Sequence, residues 1–197
     1  MHDFRRSVKS HLNQDLIDKS LWLGSAGDMD RAAAVLFPFY WKDGAPWVLL
    51  TQRNANLKHH SGQVSFPGGA FEDQDKNIKH TALRETLEEI GVMHKHIELW
   101  GFLDGLTSIS GFHVTPFVGE IKDVSQLEID QNEVDRAFGV PFAFFQDHNN
   151  RVKNKIKTPF GDRHYYVFEY KDDVIWGLTA QIIVQLVDRI NQQTYER

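Results

Sequence analysis

The sequence predicts an α+β sandwich, and two observations carry that prediction. Short β-prone runs recur from about residue 32 to residue 170 and outnumber the helical segments. Two stretches, near residues 77–90 and toward the C-terminus, instead carry apolar residues at helical spacing. A chain of many strands and few amphipathic helices buries both by packing helices onto a sheet.

The elements follow in order. Met1 to Asn13 mixes Asp3, Arg5, Arg6, Lys9 and His11 with few apolar residues and reads as a solvated, basic leader. Leu12 to Leu23 reads as a short helix within a leader that extends to about residue 30. The apolar runs Ala32–Tyr40 and Trp47–Thr51 flank Lys42-Asp43-Gly44-Ala45-Pro46, and an Asp-Gly turn between β-prone runs marks a hairpin. A polar, glycine-containing loop spans Asn54 to Asp75. A helix is expected over Asn77 to Ile90, with Leu83, Leu87 and Ile90 at i, i+4 and i+7 as its buried stripe and Gly91 as its stop. Strands are expected at Glu98–Leu103, Val114–Ile121, Val152–Thr158 and Tyr165–Tyr170, the last two joined by a turn at Phe160-Gly161-Asp162. A final helix from about Asp173 to Asn191 would turn Ile175, Leu178, Ile182, Leu186 and Ile190 inward. There is no internal repeat, low-complexity tract or obvious linker, so residues 1–197 are read as one domain.

Composition narrows the function. At 197 residues the chain can bury a substantial core, and its 41% hydrophobic and 25% charged residues are ordinary for a soluble protein. A net charge of −5 gives no general reason to bind nucleic acid, and an anionic substrate would need local cations or backbone amides. With no cysteine there is no disulfide framework, thiolate zinc site or cysteine nucleophile. The leader lacks the apolar core of a secretory signal. The densest apolar stretch, Ala32 to Trp41, is broken by Pro38 and too short to span a bilayer. A cytoplasmic enzyme without nucleic-acid or membrane partners is the expectation, and a homodimer stays open.

The chemistry concentrates in Arg84-Glu85-Thr86-Leu87-Glu88-Glu89-Ile90-Gly91. On a helix, Glu85, Glu88 and Glu89 stand at i, i+3 and i+4 and share one face. Like charges at these spacings each cost roughly 0.2–0.5 kcal/mol, a repulsion that a bound cation would reverse. Hard divalent cations take oxygen ligands, and Mg²⁺ is typically held by one or two carboxylates together with substrate phosphates. Arg84 can pair with Glu88 at i+4 and orient it. Gly68-Gly69 lies upstream, before an acid-rich loop of Glu72, Asp73 and Asp75, so backbone groups stand beside the acids. A solvated acidic face is the alternative for a bare E-x-x-E-E, and the surrounding residues weigh against it.

These residues resemble the Nudix box, G-x5-E-x7-R-E-U-x-E-E-x-G-U, where U is aliphatic. Gly69 matches its glycine, and Arg84, Glu85, Glu88, Glu89, Gly91 and Val92 match its second half. Asp75 stands in place of the first glutamate, the spacer after it is one residue longer, and Thr86 replaces an aliphatic residue. The stretch Leu49-Leu50-Thr51-Gln52-Arg53 with Gly62-Gln63-Val64-Ser65-Phe66-Pro67-Gly68-Gly69 is similar to the signature of the coenzyme A pyrophosphatase branch. There Asn54 replaces a small residue and Lys58 an arginine, keeping the charge but losing bidentate phosphate geometry. Segments Ser110–Gly119 and Ile175–Ala180 also look like that branch, and the resemblance covers about Arg31 to Arg189.

The resemblance implies a Nudix-type α/β/α sandwich with a mixed sheet and Mg²⁺- or Mn²⁺-dependent hydrolysis of a nucleoside diphosphate linkage. Coenzyme A or a derivative would give 3′-phosphoadenosine 5′-phosphate and 4′-phosphopantetheine. Arg84, Glu85, Glu88 and Glu89 would be catalytic, with Glu85, Glu88, Glu89 and Gly69 at the metal. Arg53, Lys58, His60 and Gly68 would meet the small-molecule substrate, with His59 a weaker candidate in the same basic loop. Asp75 and Glu133 are candidates for an extra acid, and Glu133 reads equally as a surface residue. Which glutamate acts as base is open. His94 and His96 lack a third ligand and read as surface residues, while Trp176, Phe142, Phe144 and Phe145 read as packing. The rival readings are a Nudix enzyme acting on ADP-ribose, a dinucleotide polyphosphate or a modified nucleotide, and a non-catalytic Nudix-fold binding module. Isopentenyl diphosphate isomerase chemistry needs a catalytic cysteine that the chain lacks.

Overall fold

The structure, a computed structural model, describes residues 1–15, 31–57, 60–158 and 161–192. An eight-stranded mixed sheet forms its centre, in the order β3 (Val64–Ser65), β2 (Ala45–Arg53), β1 (Ala32–Lys42), β7 (His113–Ile121), β5 (Ile97–Phe102). The short strands β4 (Gly68–Ala70) and β6 (Leu106–Thr107) pair with β1 and β7, and β8 (Val134–Pro141) pairs with β2. β1 runs parallel to β7 and antiparallel to β2, which makes the sheet mixed. A second sheet holds β9 (Val152–Thr158), β10 (Gly161–Tyr170) and β11 (Asp173–Trp176), with β10 in the middle.

Alternation along β1 divides the core in two. Ala32, Ala34 and Leu36 join Ile78, Ala82 and Ile90 of helix α2 (Ile78–Ile90) on one face. Phe37 and Phe39 join a larger cluster on the other face, with residues of α4 (Gly177–Gln192), the short helix α3 (Phe142–Gln146) and the small sheet. Helices on both faces give the three-layered α/β/α sandwich.

The buried stripe of α2 differs from the expected one. Ile78, Thr81, Ala82, Thr86 and Ile90 are buried, Leu83 is half-buried and Leu87 is 40% exposed. The acid-bearing face is therefore not a free one: Arg84 and Glu89 are buried as well. The helix presses against small residues, Ala32 and Ala34, and takes Thr86 inside because its hydroxyl donates to the Ala82 carbonyl at 2.6 Å. The helix ends are as the sequence implies. Asn77 caps the N-terminus by accepting from the His80 N–H, and Gly91 adopts φ 73° at the C-terminus.

Other differences have local causes. The leader is not merely solvated: His2–Lys9 forms α1, which buries Val8 and lodges Phe4 among Phe39, Trp41, Trp100 and Phe142 at ring distances of 5.3–6.4 Å. Arg5 donates to both oxygens of the nearly buried Glu120 at 2.6 Å each, fixing α1 over the sheet. Of the helix expected from Leu12 to Leu23, residues 12–15 are not helical, since Asn13 bridges Phe102; residues 16–23 lie outside the described ones. Asp173–Trp176 is a strand rather than the start of the last helix, because it completes the ladder with β10. Ile175 is buried in either role, but Trp176 on the alternate position is 42% exposed and is not core. β8 was not expected, its Asp135, Arg136 and Gly139 breaking the β-like pattern. In the turn between β9 and β10, Phe160 lies outside the described residues. Phe142 and Phe145 are buried and Phe144 packs against them, as expected.

Replacing Phe4 by alanine removes an aromatic anchor that α1 shares with four rings. Phe4→Ala should cost about 3 kcal/mol, the low end for a large aromatic in a core, and is checked by denaturant unfolding.

Candidate active site

β4 and α2 build the site together. Gly69 sits opposite Ala34 on β1, and a Cβ there would come within 2.3 Å of a Glu85 oxygen. At Gly68 a Cβ would meet the Ala34 carbonyl oxygen at 2.4 Å. The glycine pair thus lets strand, sheet and acidic helix approach without intervening side chains.

Arg84 organises the acids. Its Nε and Nη2 donate to the two oxygens of Asp75 at 3.0 Å each, and Nη2 also donates to the Ala70 carbonyl at 3.1 Å. Nη1 donates to Glu85 at 2.9 Å and to Glu88 at 2.8 Å. Burial works against the charge of Asp75, but hydrogen bonds from Arg84, His80 and Thr81 outweigh it and hold its pKa below the usual range. Arg84 is correspondingly held above its ordinary value, chiefly by its hydrogen bonds to Asp75. Asp75 therefore serves the guanidinium and is buried under it. His80 and Thr81, which no motif singles out, bond it at 2.9 Å each, and the Glu72 N–H donates to it at 3.0 Å.

Three carboxylates converge beside this arginine. Glu85, Glu89 and Glu133 each place an oxygen within 4.8 Å of the other two. Glu133 arrives on the turn before β8, where its backbone carbonyl accepts from the Asn54 N–H at 2.9 Å. Glu88 lies outside this group: its side chain is 49% exposed and its carboxylate is held by Arg84. Glu89 is 1% exposed, and burial pushes its pKa up to about 8 against the opposing charge of Arg53. Burial raises Glu85 too, with Arg84 opposing. One Glu89 oxygen has no hydrogen-bond partner, and Arg53 Nη1 stands 3.5 Å from the other.

Buried, mutually repelling carboxylates with an unpartnered oxygen fit a hard divalent cation, which takes oxygen ligands and would neutralise them. Glu85, Glu89 and Glu133 are the residues placed to hold it. Of the residues expected at the substrate, Arg53 and Gly68 border the cluster, whereas His60 is exposed and pairs with Gln63 at 2.9 Å. Lys58 and His59 lie outside the described residues. His94 and His96 form a short 3₁₀ turn past the end of α2, outside the acid cluster.

A three-layered sandwich in which two acids of one helix and a third from a distant turn meet beside a glycine strand and a guanidinium fits a phosphoanhydride hydrolase. The comparisons agree. The family model for the NUDIX domain matches residues 29–169, and the chain belongs to that family. It is 38% identical over 163 residues to the uncharacterised Nudix hydrolase NudL of Photorhabdus laumondii, covering 83% of this chain and 87% of that protein. The NudL protein of Pectobacterium atrosepticum is 39% identical over 168 residues, covering 83% and 84%. Among solved structures, the MutT protein from Methanosarcina mazei shares the fold at a TM-score of 0.51 and 15% identity, over 82% of this chain and 93% of that one. The chain is a Nudix pyrophosphatase, and enzymes of this family generally use divalent metal ions.

Two outcomes follow from the electrostatics. Asp75→Asn leaves the buried Arg84 short of its charge partner and should cost about 3–5 kcal/mol, measured by chemical denaturation. Glu89 in the metal-free fold keeps its proton up to about pH 8, while the unfolded chain releases it near the usual 4.5. Metal-free stability should therefore fall as pH rises between these values, by a few kcal/mol at most. Glu89→Gln should flatten that dependence in chelator-treated protein. Identical pH profiles for the two proteins would show that Glu89 is not the group responsible.

Proposed function

We propose that the enzyme hydrolyses the diphosphate linkage of coenzyme A or a derivative, giving 3′-phosphoadenosine 5′-phosphate and 4′-phosphopantetheine, with Mg²⁺ or Mn²⁺. The observation that carries hydrolysis is the Glu85–Glu89–Glu133 cluster packed against Gly69 beside Arg53. What supports coenzyme A is the stretch from Leu49 to Gly69, which forms β2, β3 and the start of β4 and ends at that cluster.

The bound cation would neutralise phosphate oxygens and lower the pKa of an attacking water. The chain's own residues do the rest. Glu85, Glu89 and Glu133 would hold the ion, and a carboxylate of the set accepts the water's proton as its oxygen bonds to phosphorus and the P–O anhydride bond breaks, the other phosphate leaving with its half of the substrate. Arg53 meets the diphosphate from the β2 side, with Lys58 and His60 as further substrate contacts and Gly68 giving backbone access. Arg84 positions Glu85 and Glu88 while Asp75 keeps its charge in place. Glu88 is retained as a catalytic acid at the rim of the cluster. The reading takes residues 1–197 as one domain, places the enzyme in the cytoplasm, and requires a small-molecule substrate without nucleic-acid or membrane partners, a homodimer staying open.

A hydrolysis panel of coenzyme A, ADP-ribose and dinucleotide polyphosphates with each metal, read by product mass, tests the proposal. Phosphopantetheine from coenzyme A is the expected product. Its absence, with ADP-ribose or a dinucleotide cleaved instead, would move the substrate assignment, and binding without cleavage would favour a ligand-binding module. Glu85→Gln and Glu89→Gln should each lower kcat by about 10²-fold or more. Glu88→Gln should abolish hydrolysis as well, and near wild-type turnover would remove Glu88 from the site.

A further inference from the structure

Along the C-terminal half of α2, on the flank turned away from Gly69, lies an open groove of about 640 Å³. That is an ordinary size for a small-molecule site. Apolar side chains line it: Leu87 and Met93, 40% and 46% exposed, with Val92 and Ile129. Carboxylates surround them, from Glu88, Asp123, Glu128 and Asp130. His96 also contributes, and among the lining residues there is no lysine or arginine.

This composition selects its occupant by charge. A phosphate or carboxylate would meet several carboxylates with no lysine or arginine among the lining residues, the charge of Arg84 being already shared by Asp75, Glu85 and Glu88. An uncharged chain with N–H and O–H donors and aliphatic segments meets acceptors and an apolar floor. The groove also adjoins the acid cluster through α2 itself. At about 100° per residue, Glu88 stands roughly 60° around the helix from Glu85, between the buried acids and Leu87. The turn bearing Glu133 forms the other wall: Asp130 N–H donates to the Glu89 carbonyl at 3.1 Å, and Glu133 N–H to the Asp130 carbonyl at 3.0 Å. A substrate straddling the cluster can send one end past Glu88 into the groove, and its other end toward Arg53.

We propose that this groove holds the pantetheine arm of the substrate, together with any acyl extension, an inference that rests on coenzyme A being that substrate. The arm is uncharged, carries two amide N–H groups and a hydroxyl, and is otherwise aliphatic, as the groove requires. The nucleotide half, with its additional phosphate, is repelled there and lies on the Arg53 side. Leu87 and Met93 then determine specificity for the arm without touching the reacting atoms. Their exposure, unexplained by the core, follows from this use.

The test compares the unaltered enzyme with Leu87→Asp and Met93→Asp, both at exposed positions and verified as folded by circular dichroism. KM for coenzyme A should rise about tenfold in either variant, the loss of one aliphatic contact with the arm, while kcat stays within about twofold. KM for a medium-chain acyl derivative should rise further, and free pantetheine should inhibit the unaltered enzyme competitively but not the variants. Unchanged KM in both variants, or no inhibition by pantetheine, overturns the subsite while leaving coenzyme A as substrate. No coenzyme A hydrolysis by the unaltered enzyme overturns the substrate reading and this inference with it.

Discussion

One buried guanidinium ties the active site together. The five hydrogen bonds of Arg84 join β4 and the loop after it, through Ala70 and Asp75, to two acids of α2. A guanidinium presents five N–H donors in a fixed fork, so its partners fix its plane and it fixes theirs. Lysine, with a flexible point charge, could not hold a carboxylate in two-point contact and orient two more. The loop, the helix and the acids therefore form one unit through a single charged group, 8% exposed.

That unit is built under tension. Glu85 and Glu89 are removed from water close to each other and to Glu133, and only part of their charge is answered by Arg84 and Arg53. Apolar side chains in their place would pack without that desolvation penalty. The arrangement is favourable when a cation enters, so the same burial that weakens the metal-free fold strengthens ion binding. Stability is supplied elsewhere, by the aromatic cluster on the opposite face of the sheet, where Phe37, Phe39, Trp100 and Phe142 are buried. The sheet separates the acid-bearing helix, which rests on a smaller apolar cluster, from the larger aromatic one.

Much of this was legible in the chain. The runs of β1, β2, β7, β9 and the Asn77–Gly91 helix emerged within a few residues, since alternation, turn chemistry and capping are local signals. Helical spacing runs on into β11, because Ile175 satisfies either period and only pairing with β10 decides between them. The docking of the leader is not legible, because Phe4 and Val8 are two apolar residues among many charges and their weight comes from the rings and strands they meet.

The sequence by itself determined the family resemblance, the acidic helix and the glycines that admit it, because each rests on residues close together along the chain. Tertiary structure decided which carboxylates meet. Glu85 and Glu89 face inward four residues apart, Glu88 between them faces Arg84 and solvent, and Glu133 joins from more than forty positions away. It also decided that Asp75 supports Arg84 and that Leu87 faces a groove and not the core. Helical spacing places residues on a face, but only the packed neighbours of that face determine whether it meets sheet, water or ligand.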